Sequence, residues 1–532
     1  MLMQNRRKFI KQIGTSAVGI SVLPSFFSCK SEKKQPPMLE TIVPENLLDL
    51  PRSTPEEQGI LSGAINKFLD SIKKSKVEFH SIMIVRHGHV VAEGWWDPYS
   101  PNLKQQLYSI SKSFISTAIG FAFDEDLIER DDAVISFFPD DLPDEVSDNL
   151  KDLEIKHLLT MSVGHENDPI LSMKETDNWA KAFLSIPIVY EPGTEFKYNS
   201  GASYMLSAII QKVTGMTVHE YLKPHLFDPL NIVNSTWSEN SQGINIGASH
   251  LRLKTEDIAK FGQFYLQKGS WKDKQLLSKK WVKASTKKQI ETGDENDEWG
   301  YGYGYQFWMN PSGGYRADGD YGQYSIVIPE KDAVIAITGE IFDKKAAMKI
   351  VWDLIPEMRD TVSVSEKEYE KLQINLKSLH YDPPKMANTY PIATLISGKE
   401  YILEENDLNA KAVSFEFKNQ VCIFTLKEEG KKDLVIKCGL NKWIIGDNKK
   451  PGPKTLLSDL QIDFDSVVAA SATWKSENTL LMTWRFPEST HTDTLTCTFE
   501  GKKVYIKFLN SIAASGIEGS DSRKEIIGSS IV

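Results

Sequence analysis

The chain has 532 residues, more than one ordinary hydrophobic core organises, so two or more domains are expected. Hydrophobic residues make up 41% and charged residues 25%, the balance of a soluble globular protein. The formal net charge of −10, with no basic stripe interleaved with aromatics, argues against nucleic acid as a partner and says little about any substrate.

In chain order, Arg6, Arg7, Lys8, Phe9, Ile10 and Lys11 form a positive start, an apolar stretch covers 13–27, and Ser28 precedes Cys29. These are the regions of an export signal, and the apolar run is too short to span a bilayer. The segment resembles a bacterial twin-arginine signal with a loose lipoprotein box. That resemblance implies export to the periplasm or outer membrane and lipidation at Cys29, the one expected membrane attachment. Plain cleavage of the signal is the alternative. Without Cys29, the cysteines are Cys422, Cys438 and Cys497. None forms a C-x-x-C pair, so neither a disulfide framework nor a zinc site is supported, and buried inert thiols are expected.

Residues 30–48 are rich in lysine and proline and read as a tether. Apolar spacing predicts a helix over 61–72. Strands are predicted at 81–85 and 90–92, with His87, Gly88 and His89 as the turn between them. Residues 107–122 read as a helix apolar nearly all round, which belongs in a protein's interior. Helices and loops follow to about 245. Short apolar runs at 324–328 and 333–337 then predict a hairpin of buried strands, and 344–358 reads as a closing helix. Strands at both ends with helices between them predict an α/β sandwich, with an antiparallel sheet and an inserted helical subdomain, over 49–362. Residues 363–385 read as a linker ending in Pro383 and Pro384. Over 386–532, β-prone runs at 400–403, 413–417, 421–426, 434–437, 480–484, 494–499 and 504–508 predict a separate C-terminal all-β domain, an antiparallel sheet or barrel. Its tryptophans Trp443, Trp474 and Trp484 are expected in core packing rather than at a glycan site.

Three segments carry chemistry. Ser109, Ile110, Ser111 and Lys112 form S-x-x-K, and on a helix positions i and i+3 share a face. A serine hydroxyl needs a neighbouring base, and a buried lysine can be one because desolvation lowers its pKa. The same pattern at Ser71–Lys74 and Ser285–Lys288 sits among lysines that read as solvated surface. Next, Tyr198, Asn199, Ser200 and Gly201 follow the Pro192-Gly193-Thr194 turn. A tyrosine in such a loop can shuttle a proton if nearby cations lower its pKa. Lastly, Gly319, Asp320, Tyr321, Gly322 and Gln323 lead into the 324–328 strand, where glycines permit close approach of a substrate backbone. There the Gln323 N–H is expected to pair with the Ser109 N–H as an oxyanion hole.

This order resembles the serine β-lactamase and penicillin-binding-protein superfamily, closest to its class C-related branch, which also holds esterases, D-amino-acid peptidases and 6-aminohexanoate-oligomer hydrolases. Supporting stretches are Tyr108 to Phe114, His157 to Ser162, Pro192 to Thr194, Asp257 to Gly262 and Ile326 to Pro329. The resemblance implies that Ser109 is acylated, Lys112 helps to deprotonate it, Tyr198 shuttles the proton and Gln323 completes the oxyanion hole, with Gly322 beside it. It implies no metal or organic cofactor, and a small-molecule ester or amide as substrate. Two positions depart from the pattern. Ser200 stands where the tyrosine motif usually ends in asparagine. Asp320 stands where the third motif usually presents lysine or histidine. A substrate carboxylate about 4 Å from Asp320 is repelled by roughly 4 kcal/mol at an effective dielectric near 20. That favours an esterase or amidase over a β-lactamase or D-amino-acid peptidase, unless Arg316 compensates. An inactive envelope-binding protein is the non-enzymatic alternative.

Overall fold

The computed structural model describes residues 50–311, 313–446, 449–451, 465–517 and 519–530. Cys29, the export signal and the tether lie outside the described residues. The described residues pack as one compact unit.

The central sheet has six strands: β1 (Glu78–Arg86), β2 (His89–Trp95), β3 (Trp308–Met309), β4 (Tyr315–Gly319), β5 (Gln323–Ile328) and β6 (Ala333–Glu340). Their order is β2-β1-β6-β5-β4-β3, antiparallel throughout. Alternate side chains feed two cores. Val334 and Ala336 face one, while Ala333, Ile335 and Ile337 face the other. A strand covered on both faces reads as an unbroken apolar run, which is how β5 and β6 stand out in the sequence. The β1–β2 turn is His87-Gly88, both at positive φ, the geometry of a two-residue hairpin.

On one face lie α1 (Ser62–Lys74), α5 (Lys344–Trp352) and α6 (Glu366–Lys377). On the other lies the helical subdomain inserted after β2, with α2 (Ile110–Asp124), α3 (Ser200–Thr214) and α4 (Thr255–Leu266). Residues 110–122 of α2 are all buried, so this helix is the subdomain's axis. The segment expected as a linker is partly helical. In α6, Leu372 joins the sheet's core, and Asn66 of α1 donates to Glu368 at 3.1 Å. The helix expected over 344–358 ends at Trp352 and gives way to a short 3₁₀ turn. Ser285, read as surface, is fully buried, whereas Lys288 is exposed.

The C-terminal region is a closed nine-stranded barrel, β7 (Glu400–Leu403), β8 (Ala410–Lys418), β9 (Val421–Glu428), β10 (Leu434–Leu440), β11 (Ala469–Ser476), β12 (Thr479–Arg485), β13 (Thr492–Glu500), β14 (Lys503–Asn510) and β15 (Ile526–Ser530). A ring with an odd number of strands cannot alternate direction everywhere, and here the parallel pair is β10–β11. Trp474 and Trp484 are core residues, and the Cys422, Cys438 and Cys497 thiols are free and buried. Burial pushes the Cys438 thiol up to about 12, which makes it a poor nucleophile. The barrel is bonded to the sheet domain: Arg485 pairs with Glu78 and donates to the Tyr99 hydroxyl at 3.2 Å, and Trp443 Nε1 donates to the Tyr381 carbonyl at 2.7 Å. Among the described residues, no helix is long and apolar enough to cross a membrane.

Candidate active site

Ser109 caps the N-terminus of α2, where the first-turn N–H groups and the helix dipole favour negative charge. One turn on, Lys112 is only 2% exposed. Its Nζ donates to Ser109 Oγ at 3.0 Å and to the Ala248 carbonyl at 2.8 Å. It lies 4.9 Å from the centre of the Tyr198 ring. Burial drives the Lys112 amine down to about 8, against the opposing pull of Asp168 and Asp320. An amine poised there is partly uncharged near neutral pH and can accept a proton.

Tyr198 comes in on the loop before α3, stacked on Trp308 with ring centroids 5.8 Å apart. Burial pushes its phenol well above the usual range, and the neighbouring Ser109 hydroxyl only partly offsets this. The condition set from the sequence, a phenol lowered by nearby cations, is not met: the phenol is raised even though Lys112 Nζ lies 4.9 Å from the ring centre. The phenol therefore holds its proton, and of the two groups Lys112 is the one suited to act as base. Asn199 caps α3, accepting from the Ala202 N–H at 2.9 Å, and contacts His165 Nδ1 at 3.2 Å. Ser200 is buried, and its N–H donates to Asp168 Oδ2 at 2.8 Å. It does not line the cavity around Ser109.

That cavity, of about 600 Å³, has aromatic walls from Tyr198, Trp299, Trp308 and Phe342. Its charged lining consists of Asp318, Asp320, Asp343, Lys344 and Lys345. The end of β4 therefore meets the site, and the start of β5 does not. Gln323 is fully buried, and its Nε2 donates to the carbonyls of Asp320, Tyr321 and Gly339. At Gly322 a Cβ would point at Ile341, 2.4 Å away, inside the core. Gly319 is the glycine that permits close approach: a Cβ there would stand 2.3 Å from the Leu107 carbonyl, two residues before Ser109.

The charges around Asp320 also differ from the sequence argument. Asp320 is paired with Lys344, the first residue of α5. Arg316 does not compensate for it, being 0% exposed with its Nε on Asp318 at 2.9 Å and an Nη 3.4 Å from Glu298. Trp299 Nε1 shares the same Asp318 oxygen at 2.9 Å. With Lys344 beside it, Asp320 presents an ion pair to the cavity rather than a lone negative charge, which weakens the expected repulsion of a carboxylate.

Sequence reasoning missed several residues that build the site. Gln306 donates to the Leu158 and Leu159 carbonyls and accepts from Ser203 Oγ at 2.7 Å, while its own carbonyl accepts from Ser113 Oγ at 2.6 Å. It thus ties α2 to α3. Asp168 accepts from the N–H groups of Ile170, Ser200 and Gly201 and so anchors the Tyr198 loop. Neither stands in a motif. Lys344 had a weak signal only, as a cation opening the expected 344–358 helix, and Trp308 had none.

The family model for Beta-lactamase matches residues 71–355, which span the sheet, α2, α3 and the whole cavity lining. The chain belongs to the beta-lactamase family. Relatives of this family member include the 6-aminohexanoate-dimer hydrolase of Paenarthrobacter ureafaciens, 24% identical over 309 residues, which are 53% of this chain and 78% of that protein. Protein flp of Staphylococcus aureus strain MW2 is 26% identical over 185 residues, 32% of this chain and 37% of that protein's length. Among solved structures, the chain is similar to the octameric penicillin-binding protein homologue from Pyrococcus abyssi, at 17% identity and a TM-score of 0.46, covering 87% of this chain and 99% of that one. It is also similar to EstCE1, described as a hydrolase with promiscuous acyltransferase activity, at 15% identity and a TM-score of 0.48, covering 55% and 99%.

Proposed function

We propose that this hydrolase-family chain is a serine esterase or amidase that works through an acyl-enzyme on Ser109. The observation that carries the reading is the buried Lys112 amine, 3.0 Å from Ser109 Oγ and lowered to about 8. In the proposed cycle Lys112 takes the hydroxyl proton as Ser109 Oγ attacks the substrate carbonyl. The protonated Tyr198 phenol donates to the leaving group and regains its proton from the Lys112 ammonium. The departing alcohol or amine leaves Ser109 esterified, and water attacks that ester in the reverse sense. The Ser109 N–H forms half of the oxyanion hole. The Asp320 N–H, just beyond the end of β4, is assigned the other half in place of Gln323, because Asp320 lines the cavity and Gln323 does not.

Esters and amides fit better than β-lactams, because the nearby cations are already claimed: Lys344 by Asp320, Arg316 by Asp318 and Glu298, and Lys345 by Asp297 at 3.7 Å. The flat walls of Trp299, Trp308 and Phe342 suit an apolar acyl or alcohol group. We further assign the substrate to the periplasm or cell surface and an anchor to Cys29, on the export signal alone. The test is intact-mass and peptide mass spectrometry after a fluorophosphonate probe. One adduct at Ser109 that is absent in Ser109→Ala supports the reading, and an unlabelled wild type sinks it. Nitrocefin turnover at rates rivalling simple esters would instead favour the β-lactamase reading.

A further inference from the structure

The barrel reaches the nucleophile from behind. The loop over 486–491, between β12 and β13, is tightly wound: the Phe486 carbonyl accepts from the N–H groups of Ser489 and Thr490, and the Phe486 N–H donates to the His491 carbonyl at 3.0 Å. Ser489, Thr490 and His491 are buried, and Thr490 sits at φ 85°, a conformation that a β-branched residue rarely adopts. This loop grips the strand before Ser109 at two points. The Gln106 N–H donates to the Glu488 carbonyl at 3.1 Å. The Tyr108 hydroxyl lies 2.7 Å from His491 Nε2.

Tyr108 is the residue immediately before Ser109, and it too is left-handed, at φ 49°. A non-glycine residue in that region costs free energy and persists only where its surroundings hold it. Its carbonyl accepts the Ser111 N–H, an opening bond of α2, so any relaxation of Tyr108 turns Ser109 as well. What holds it is a buried polar chain. The Glu340 carboxylate can only accept, so His491 Nδ1 carries a proton, and in the neutral ring that leaves Nε2 to accept from the Tyr108 hydroxyl. His491 Nδ1 then donates to Glu340 Oε1 at 2.7 Å, and Ser511 Oγ bonds the same oxygen. Tyr321 packs edge-on to both rings, with centroids 5.2 Å from Tyr108 and 4.6 Å from His491. Glu340 Oε1 thus meets both His491 and Ser511, and both ring nitrogens of His491 are engaged, which makes the linkage directional.

We propose that His491 is a positioning residue: the barrel, through its 486–491 loop, holds Tyr108 in its left-handed state and thereby aims the Ser109 hydroxyl and N–H at the substrate carbonyl. The inference rests on the serine-hydrolase reading and gives the C-terminal barrel a part in it. Elsewhere the two regions are joined by Arg485 with Glu78 and by Trp443 with the Tyr381 carbonyl. Those contacts can dock the barrel without touching the nucleophile.

The two ring nitrogens allow a separation of roles. In His491→Gln the side-chain amide lies near the place of Nε2 and keeps a partner for Tyr108. In His491→Asn it lies near Nδ1 and keeps only the contact with Glu340. Full-length wild type, His491→Gln, His491→Asn and Tyr108→Phe are compared for the saturating rate and half-saturating concentration of fluorophosphonate labelling at Ser109, with melting temperature recorded for each. His491→Asn and Tyr108→Phe are each expected to slow the saturating rate roughly tenfold, with the half-saturating concentration within about twofold of wild type. His491→Gln is expected to stay within about threefold of wild type. Combining Tyr108→Phe with His491→Asn is expected to add little, because both remove one bond. Labelling at the wild-type rate in His491→Asn and Tyr108→Phe overturns the inference and leaves the serine-hydrolase reading intact. So do equal losses in the Gln and Asn variants that follow melting temperature. A wild type that is not labelled at Ser109 overturns the underlying reading instead.

Discussion

The two sides of Ser109 are built in opposite ways. On the cavity side, Lys112 is three residues away on the same helix, and Tyr198 arrives on one anchored loop. On the far side, Tyr108 is held by His491, 383 residues along the chain, which leans on Glu340. The cavity side carries the proposed chemistry through burial, which pulls the Lys112 amine down and pushes the Tyr198 phenol up. The far side carries geometry, through hydrogen bonds and a backbone held off its preferred conformation. Loss of chemistry and loss of aim are therefore expected to leave different kinetic marks.

The largest expected effect comes from Ser109→Ala, which removes the proposed nucleophile: hydrolysis of activated esters is expected to fall by at least about 1,000-fold with little change in melting temperature. A residual rate above that level would move the chemistry away from this cavity. Lys112→Met keeps the buried volume and deletes the base, and steady-state assays should register a loss on the order of 100- to 10,000-fold in kcat. Lys112→Arg should not rescue it, since a guanidinium stays charged. Tyr198→Phe sharpens the division of labour. A roughly 100-fold loss is expected on amides and a clearly smaller one on aryl esters, whose leaving groups need no proton. Equal losses on both substrates would mean that Tyr198 is not the donor. The smallest effect is expected from Lys344→Ala. Breaking this half-exposed pair with Asp320 should raise KM for carboxylate-bearing esters less than about tenfold, lower it for amine-bearing ones, and fade with added salt. An unchanged preference would place Asp320 outside the substrate's reach.

The same division explains what could be read in the sequence. Four of the sheet's six strands showed, β5 and β6 because strands buried on both faces are largely apolar, while the short β3 and β4 did not, and α2 showed because it is buried on every side. Seven of the nine barrel strands showed as short β-prone runs, many of them alternating. The strand β11 did not, because Ala469, Ala470, Ser471 and Ala472 are small and carry no alternating contrast, and neither did the terminal β15. At the site, local spacing made Ser109 and Lys112 visible, and motif order pointed to Tyr198. The third motif misled: Gly322 packs against Ile341 in the core, whereas Gly319, pressed against Leu107, stands between the cavity-lining Asp318 and Asp320. Arg316 looked available until its burial against Asp318 and Glu298 was known. Gln306, Asp168, Lys344 and His491 act through contacts between distant segments, which no local pattern encodes.

The most direct test is the pH dependence of Ser109 acylation by a neutral fluorophosphonate, followed by intact mass from about pH 6 to 10. Lys112 must be uncharged to accept the hydroxyl proton, and its folded-state value is about 8, so the rate should rise with pH and reach half its plateau near there. In Lys112→Met the rise should vanish along with most of the rate. A rate flat across that range, or the same profile without Lys112, would contradict the assignment of that amine as the base.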